Sequence, residues 1–140
     1  MLASEKRFLV EWGDCDPAGI VFYPRYLKWF DACTSGLFAH GGIPVQSLFK
    51  AHGIIGAPVV DLKTRFLVPS TYGDELLVRS SVLELRRSSF LIQHRLFKGE
   101  VLAVECIETR VWTGADPDHA GRLKSQPLPA EVIERFSKTR

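Results

Sequence analysis

The chain has 140 residues, of which 46% are hydrophobic and 24% are charged, and its formal net charge is +2. These values are typical of a folded globular protein and argue against a mainly disordered chain. The near balance of 18 basic and 16 acidic side chains gives no overall charge that would indicate a nucleic-acid or membrane-surface protein. The length suits one domain with one hydrophobic core, so we expect residues 1–140 to form a single domain.

Metal and disulfide chemistry are not indicated by the cysteines and histidines. The sequence has no Cys-x-x-Cys pair, and its three cysteines are widely spaced: Cys15, Cys33 and Cys106. The histidines show no metal-ligand spacing either: His40, His52, His94 and His119. No apolar segment near the N-terminus is long enough for a signal peptide or a membrane span. We therefore expect a cytoplasmic protein that needs no metal or organic cofactor.

The first half of the chain predicts a strand, a loop and a long helix. Residues 6–12 are rich in β-forming side chains, and residues 13–19 contain two Asp, one Pro and two Gly, which is typical of a loop. A helix is predicted over residues 26–40, after Pro24 and before a Gly-Gly pair at 41–42 that is followed by Pro44. Its apolar side chains form one stripe, which consists of Tyr26, Trp29, Phe30, Cys33 and Leu37.

The second half predicts a meander of four antiparallel strands. Residues 45–55 are ambiguous and suit a short helix followed by a loop, whereas residues 114–129 are polar and rich in Gly and Pro. A terminal helical turn is predicted over residues 130–136. The strands are predicted at 59–68, 76–85, 90–97 and 101–112, with a tight hairpin at 98–100. Together with the first strand they form a sheet that wraps one apolar helix, and pairing of subunits would cover its open edges.

The sharpest local pattern lies between the first strand and the helix. It places the carboxylate of Asp16 in a tight loop beside the small residues Ala18 and Gly19, which let a ligand approach the backbone. Backbone N–H groups from Ile20 to Tyr23 suit unpaired first-turn donors that stabilise negative charge on a carbonyl oxygen. A carboxylate beside such donors is a minimal acyl-transfer site. The sequence leaves open whether it attacks the carbonyl or activates water.

The same two acidic residues also suit a purely structural role. Asp before Pro is common in turns, and Asp at a helix start is a common cap, so Asp14 and Asp16 both fit turn formation. For Asp14 this is the preferred interpretation, with its side chain bonded to loop amides.

The motif resembles the signature of the 4-hydroxybenzoyl-CoA thioesterase family of hotdog proteins. The matching residues read Gly-Asp-Cys-Asp-Pro-Ala-Gly-Ile-Val over 13–21 and Tyr-Pro-x-Tyr over 23–26. The resemblance implies an α+β hotdog fold, in which a five-stranded antiparallel sheet wraps a long central helix. It implies hydrolysis of an acyl-CoA to the free acid and coenzyme A. Asp16 is then the catalytic carboxylate, and the backbone N–H of Tyr23 polarises the thioester carbonyl.

The resemblance also assigns the acyl-binding residues. In aromatic-substrate members of the family, an Asp at the position of Asp31 meets the 4-hydroxyl of the acyl ring, so a 4-hydroxybenzoyl-like acyl group is the preferred substrate. The stretch with Gly56, Ala57 and Val59 matches one that lines the acyl pocket across the subunit interface. Without the resemblance, Asp31 reads equally well as a solvated helix residue, and the Gly-Ala stretch as the ordinary start of a strand.

A predicted hairpin carries the candidate site for the phosphates of coenzyme A. Arg86 and Arg87 place two guanidinium groups next to the hydroxyl of Ser88, a combination that suits phosphate. The alternative is a solvated hairpin. The family has a longer basic run here, and the sequence does not show whether Arg122 and Lys124 in the tail contribute.

Three alternatives to aromatic acyl-CoA hydrolysis remain open at this point. One is a thioesterase of the same family that acts on short- or medium-chain aliphatic acyl-CoA. Another is a non-catalytic module that binds acyl-CoA and leaves it intact. A hotdog dehydratase is disfavoured because no suitable His–Asp pair is evident around the helix. The expected assembly is a homodimer or a homotetramer built as a dimer of dimers, with no nucleic-acid or membrane partner.

Overall fold

The structure, a computed structural model, describes residues 1–43, 45–51 and 53–139, so Pro44, His52 and Arg140 lie outside the described residues. Three α-helices and seven strands lie within these ranges. The helices are α1 (Pro24–His40), α2 (Val45–Ala51) and α3 (Ala130–Ser137). The strands are β1 (Ala3–Leu9), β2 (Val59–Phe66), β3 (Glu75–Leu85), β4 (Ser89–Lys98), β5 (Val101–Val111), β6 (Thr113–Ala115) and β7 (Leu123–Ser125).

Five of the strands form one antiparallel sheet in the order β1-β3-β4-β5-β2. The predicted helix and the four predicted strands of the second half are confirmed. Each of their ends lies within two residues of the predicted position. The predicted range of the first strand, residues 6–12, is wrong. Strand β1 ends at Leu9, and a 3₁₀ turn follows over Trp12–Asp14. Trp12, predicted to lie in the first strand, leaves the sheet at this turn and is 79% exposed.

The long helix α1 buries its apolar stripe against the inner face of the sheet. Pro24 occupies its first turn, where a missing N–H leaves no bond unmade. The stripe predicted from the 3.6-residue period is buried at all five positions: Tyr26, Trp29, Phe30, Cys33 and Leu37. Burial of each large side chain contributes roughly 1.5–3 kcal/mol, so this face fixes the helix on the sheet.

The C-terminal region is more ordered than its composition predicts. Strands β6 and β7 pair within residues 114–129, which read as irregular from their Gly and Pro content. The predicted terminal turn is the full helix α3, and its Phe136 stacks on Phe38 of α1 with ring centroids 5.2 Å apart. The β6–β7 pairing therefore orders a stretch whose local sequence favours no element, and tertiary packing holds the predicted turn as a helix.

Strand β2 forms one edge of the sheet and is exposed over most of its length. Its exposed side chains include Val60, Leu62 and Phe66, which are 61%, 39% and 52% exposed. The charged side chains of Asp61, Lys63 and Arg65 alternate with them and are also exposed. The backbone groups on the open side of an edge strand can pair with another chain. Across the described residues, no helix is both long enough and apolar enough to cross a membrane.

Candidate active site

The loop after β1 holds Asp16 by one oxygen and leaves the other unengaged. The backbone N–H of Ala18 donates to Asp16 Oδ1 at 2.8 Å, and the Gly19 N–H donates to the Asp16 carbonyl at 2.9 Å. Gly19 has φ +80°, which favours glycine and closes the turn. For Asp16 Oδ2, the described part of the chain supplies no hydrogen-bond partner. The turn-forming role of Asp16 is thus correct for Oδ1, while Oδ2 is free to contact a ligand.

Asp16 borders a cleft of about 390 Å³ with aromatic walls. Trp12 and Tyr72 meet edge to face across it at 5.6 Å. Cys15 also lines this cleft and is half-buried. The cleft therefore presents an apolar surface next to one free carboxylate oxygen.

Asp14 supports this loop from within. Its Oδ2 accepts the N–H of Glu11 at 2.8 Å, and its carbonyl accepts the N–H of Phe22 at 2.8 Å. The structural role predicted for Asp14 agrees with these contacts.

The run of unpaired N–H donors predicted from Ile20 to Tyr23 is wrong at two positions. The N–H of Val21 donates to the Ser70 carbonyl at 2.9 Å, and that of Phe22 is taken by Asp14. The N–H of Tyr23, the residue before α1, has no acceptor among the residues that the structure describes. Pro24, the next residue, has no N–H. Tyr23 thus offers a free donor at the positive end of the helix dipole.

Asp16 and Tyr23 border two different clefts in the single chain. The ring of Tyr23 is 60% exposed and lines an apolar cleft of about 270 Å³ with Tyr26, Phe66 and Pro69. The two residues flank the same short loop, yet the structure does not bring them into one pocket.

Asp31 forms an ion pair that the sequence did not reveal. Arg110 of β5 donates through Nη2 to Asp31 Oδ1 at 2.8 Å. The Asp31 side chain is 70% exposed, whereas that of Arg110 is only 11% exposed. The carboxylate therefore stands at the surface, but its partner is anchored inside the protein.

Arg110 belongs to a buried polar network between α1 and the sheet. Its Nε donates to Glu108 Oε1 at 2.8 Å, and the hydroxyl of Thr34 donates to the same oxygen. His94 Nε2 lies 3.4 Å from Glu108, and His94 Nδ1 lies 2.7 Å from the hydroxyl of Ser80. Burial alone would raise the pKa of Glu108, but hydrogen bonds from His94 and Arg110 outweigh it and hold the pKa at about 2.

The alternation of buried and less buried side chains along β4 and β5 could have indicated this network from the sequence. His94 lies between buried Ile92 and Leu96 at a period of two, so it faces the core, where it stacks on Phe30 at 5.0 Å. Glu108 and Arg110 follow buried Cys106 at the same period on β5. Charged side chains on the core face of a strand predict a buried ion pair. A His–carboxylate pair therefore exists near the helix, although His94 is completely buried.

The segment before β2 is fixed beside this network. The Gly56 carbonyl accepts from Thr113 through both N–H and hydroxyl, at 3.0 and 2.8 Å. The Ala57 carbonyl accepts from Arg110 Nη1 at 3.1 Å. The space beside Gly56 is open, and Val59 is 42% exposed at the start of β2. The three predicted acyl contacts thus lie in one anchored stretch, in which Ala57 is buried and Val59 is exposed.

The predicted phosphate site is a turn between β3 and β4. The Arg86 N–H donates to the Ser89 carbonyl at 2.9 Å, and its guanidinium pairs with Glu84 at 3.1 Å. The Ser88 carbonyl accepts the N–H of Trp112. Arg87 is exposed, and its side chain has no ion-pair partner within the described ranges. Arg87 is therefore the more available of the two guanidinium groups.

The tail lies against this turn. The Arg87 carbonyl accepts the N–H of Leu128 at 2.8 Å. Lys124 lies on β7 opposite Gly114, and Arg122 directly precedes that strand; both are exposed. The structure thus locates the two basic tail residues in the segment that leads to the turn.

The two buried cysteines are poor candidates for a nucleophile. Burial raises the pKa of the thiols of Cys33 and Cys106 to about 11, so neither is a thiolate at neutral pH. No group of three or more His, Cys, Asp or Glu residues in the described part of the chain is placed to hold a metal ion.

Comparison with known proteins places the chain in a family. A model of the thioesterase-like superfamily matches residues 10–136. The chain belongs to this superfamily. It is 35% identical over 134 residues to a 4-hydroxybenzoyl-CoA thioesterase from Pseudomonas sp. (strain CBS-3), which covers 91% of this chain and 93% of that protein.

Solved structures of thioesterases superpose closely on this superfamily member. One is a 4-hydroxybenzoyl-CoA thioesterase mutant complexed with 4-hydroxybenzoyl-CoA, with a TM-score of 0.88, 31% identity and coverage of 98% of this chain and all of that chain. Another is a gentisyl-coenzyme A thioesterase, with a TM-score of 0.82, 31% identity and coverage of 96% and 100%. The predictions of a hotdog fold and of a thioesterase are confirmed.

Proposed function

We propose that this chain hydrolyses acyl-CoA thioesters and prefers a 4-hydroxybenzoyl-like aromatic acyl group, giving the free acid and coenzyme A. The observation that carries the proposal is the carboxylate of Asp16, which is anchored through Oδ1 and unengaged at Oδ2 in an aromatic-walled cleft. The two 31%-identical thioesterase structures described above, one complexed with 4-hydroxybenzoyl-CoA and one named for gentisyl-coenzyme A, support an aromatic acyl group.

The chemistry assigned to Asp16 needs no second side chain. Its free oxygen either removes a proton from the attacking water or attacks the thioester carbonyl itself. Direct attack expels the thiolate and leaves a mixed anhydride on Asp16, which water then hydrolyses to the free acid and the restored carboxylate. The coenzyme A thiolate leaves readily, so no acid is needed to protonate it. The N–H of Tyr23 then stabilises the negative charge that develops on the carbonyl oxygen.

A second copy of the chain would complete this site. Asp16 and Tyr23 border different clefts, and the exposed edge strand β2 lies next to the Gly56–Val59 stretch that we assign to the acyl pocket. Pairing through β2 would cover Val60 and Phe66 and bring that stretch to a neighbouring subunit. We propose a homodimer or a dimer of dimers in the cytoplasm, with all 140 residues in one domain.

A panel of acyl-CoA substrates tests this function. We expect thiol release to give a higher kcat/KM for 4-hydroxybenzoyl-CoA than for benzoyl-CoA or hexanoyl-CoA. A preference for hexanoyl-CoA would remove the role assigned to Asp31 and support the aliphatic alternative. Tight binding of every thioester with no thiol release would contradict hydrolysis and support a binding module.

The phosphate contact assigned to Arg87 gives a separate prediction. Replacement by Ala should raise KM for 4-hydroxybenzoyl-CoA by about tenfold with little change in kcat, because the contact is remote from the reacting carbon. The 4-hydroxybenzoyl thioester of pantetheine lacks the nucleotide phosphates, so its KM should not change. Arg79→Ala, at an arginine that already pairs with Glu5, is the matched control. Equal effects on both thioesters would rule out a phosphate contact.

A further inference from the structure

One guanidinium joins two residues that we assign to the acyl pocket. Arg110 reaches Asp31 on α1 through Nη2 at 2.8 Å and the Ala57 carbonyl before β2 through Nη1 at 3.1 Å. These two groups are 26 residues apart in sequence and share no direct bond with each other. Arg110 therefore sets the position of Asp31 relative to the wall of the pocket.

Arg110 itself has little freedom to move. Its third donor, Nε, is bound to Glu108, whose side chain is 3% exposed and also contacts His94 and Thr34. Rotation of the guanidinium away from this site would leave a buried carboxylate without its cation, which is strongly unfavourable. The buried Glu108 thus fixes the guanidinium of Arg110, and the guanidinium in turn binds Asp31.

Asp31 is left with one oxygen for a ligand. Its Oδ1 is taken by Arg110, and its Oδ2 has no partner in the described part of the chain. An Asp side chain that is 70% exposed would otherwise sample several rotamers. A fixed carboxylate oxygen with a free lone pair accepts a hydrogen bond from a neutral donor with good geometry.

The charges around Arg110 favour the same kind of ligand. One guanidinium lies between the two carboxylates of Asp31 and Glu108. The negative carboxylate of Asp31 repels an anionic acyl group, such as one that ends in a second carboxylate. A neutral hydroxyl meets no such repulsion.

We propose that Arg110 is a positioning residue that gives this site its selectivity for acyl groups ending in a neutral hydrogen-bond donor, by fixing Asp31 with Oδ2 open. This inference rests on the proposed hydrolysis of acyl-CoA. It assigns to Arg110 no contact with the reacting atoms.

The test is a double-mutant cycle on substrate selectivity. The variants are Asp31→Asn, Arg110→Lys and the combination of both, and the readout is the ratio of kcat/KM for 4-hydroxybenzoyl-CoA to that for benzoyl-CoA. Lys keeps a cation for Glu108 but cannot bind Asp31, Ala57 and Glu108 at once. We expect the ratio to fall by about tenfold in each single variant and no further in the double variant.

Controls separate positioning from a general structural effect. Arg79→Lys, at an exposed arginine on β3, should leave the ratio unchanged. If Arg110→Lys lowers kcat/KM for both substrates equally and leaves the ratio intact, Arg110 is merely structural and the proposal is overturned. The same holds if only Asp31→Asn lowers the ratio.

Two further outcomes keep the test decisive. Should Arg110→Lys fail to fold, Asp31→Glu replaces it, since it keeps the charge but moves the carboxylate by one methylene at an exposed site. An unchanged ratio in that variant would overturn the positioning role.

If the unmodified protein hydrolyses neither thioester, the proposed function fails first and the inference falls with it. Activity with equal ratios in all variants overturns the inference alone.

Discussion

Replacement of Asp16 by Asn is expected to lower kcat for 4-hydroxybenzoyl-CoA by at least roughly a hundredfold, with near-native folding. The amide keeps the shape of the side chain, and its oxygen can still accept the Ala18 N–H that orients the loop. What is lost is the negative oxygen that attacks the carbonyl or takes a proton from water. Steady-state thiol release and thermal unfolding of the purified variant measure both effects.

Asp14→Asn is the matched control for this experiment. It removes the same charge from the same loop, and the new amide oxygen can still accept the N–H of Glu11. We expect kcat to change by no more than about threefold, with any effect appearing in the melting temperature. If both variants lost activity equally, loop charge or loop structure would explain the loss, and Asp16 would have no special role.

Replacement of Glu108 by Gln should have the largest effect on stability. Arg110 would lose its buried counter-ion, and the new amide group would place a donor among the donors of Arg110 and Thr34. Loss of one partner from a buried ion pair costs about 3–5 kcal/mol. Chemical denaturation at neutral pH should show a loss of about 3 kcal/mol. Glu105→Gln, on the same strand but half-buried, should cost less than about 1 kcal/mol.

The contribution of Glu108 should depend on pH with a defined sign. Its pKa in the folded protein is about 2, below the ordinary value of 4.5. A carboxyl with a lowered pKa stabilises the folded state above its unfolded pKa, and this stabilisation is lost as the pH falls through the folded value. The difference in unfolding free energy between the unmodified protein and Glu108→Gln should therefore shrink between about pH 4.5 and pH 2. A difference that stays constant over this range would contradict the network.

Much of the fold was readable from local patterns. The stripe from Tyr26 to Leu37 predicted α1, and the alternating strands of the second half predicted the sheet, because burial on one face imposes these periods directly. The end of the first strand was harder to predict. Tryptophan is common in strands, but the turn that removes Trp12 from the sheet depends on the hydrogen bond from the Glu11 N–H to the side chain of Asp14.

A candidate catalytic residue could be proposed from the sequence, but the contacts that hold the site in place could not be predicted. The motif from Gly13 to Tyr26 indicated Asp16 through its resemblance to a known family. The partner of Asp31 lies 79 residues away on β5, and no local pattern connects the two. Tertiary contacts also decided which N–H groups stay free, since Ser70 takes the one at Val21.

The most direct test of the catalytic role of Asp16 is a single-turnover experiment with enzyme in excess over 4-hydroxybenzoyl-CoA, so that product release does not limit the signal. We predict that the unmodified protein converts the bound thioester fully to acid and free thiol. The Asp16→Asn variant should bind the same thioester and hold it intact. Conversion by the variant at the rate of the unmodified protein would contradict the account.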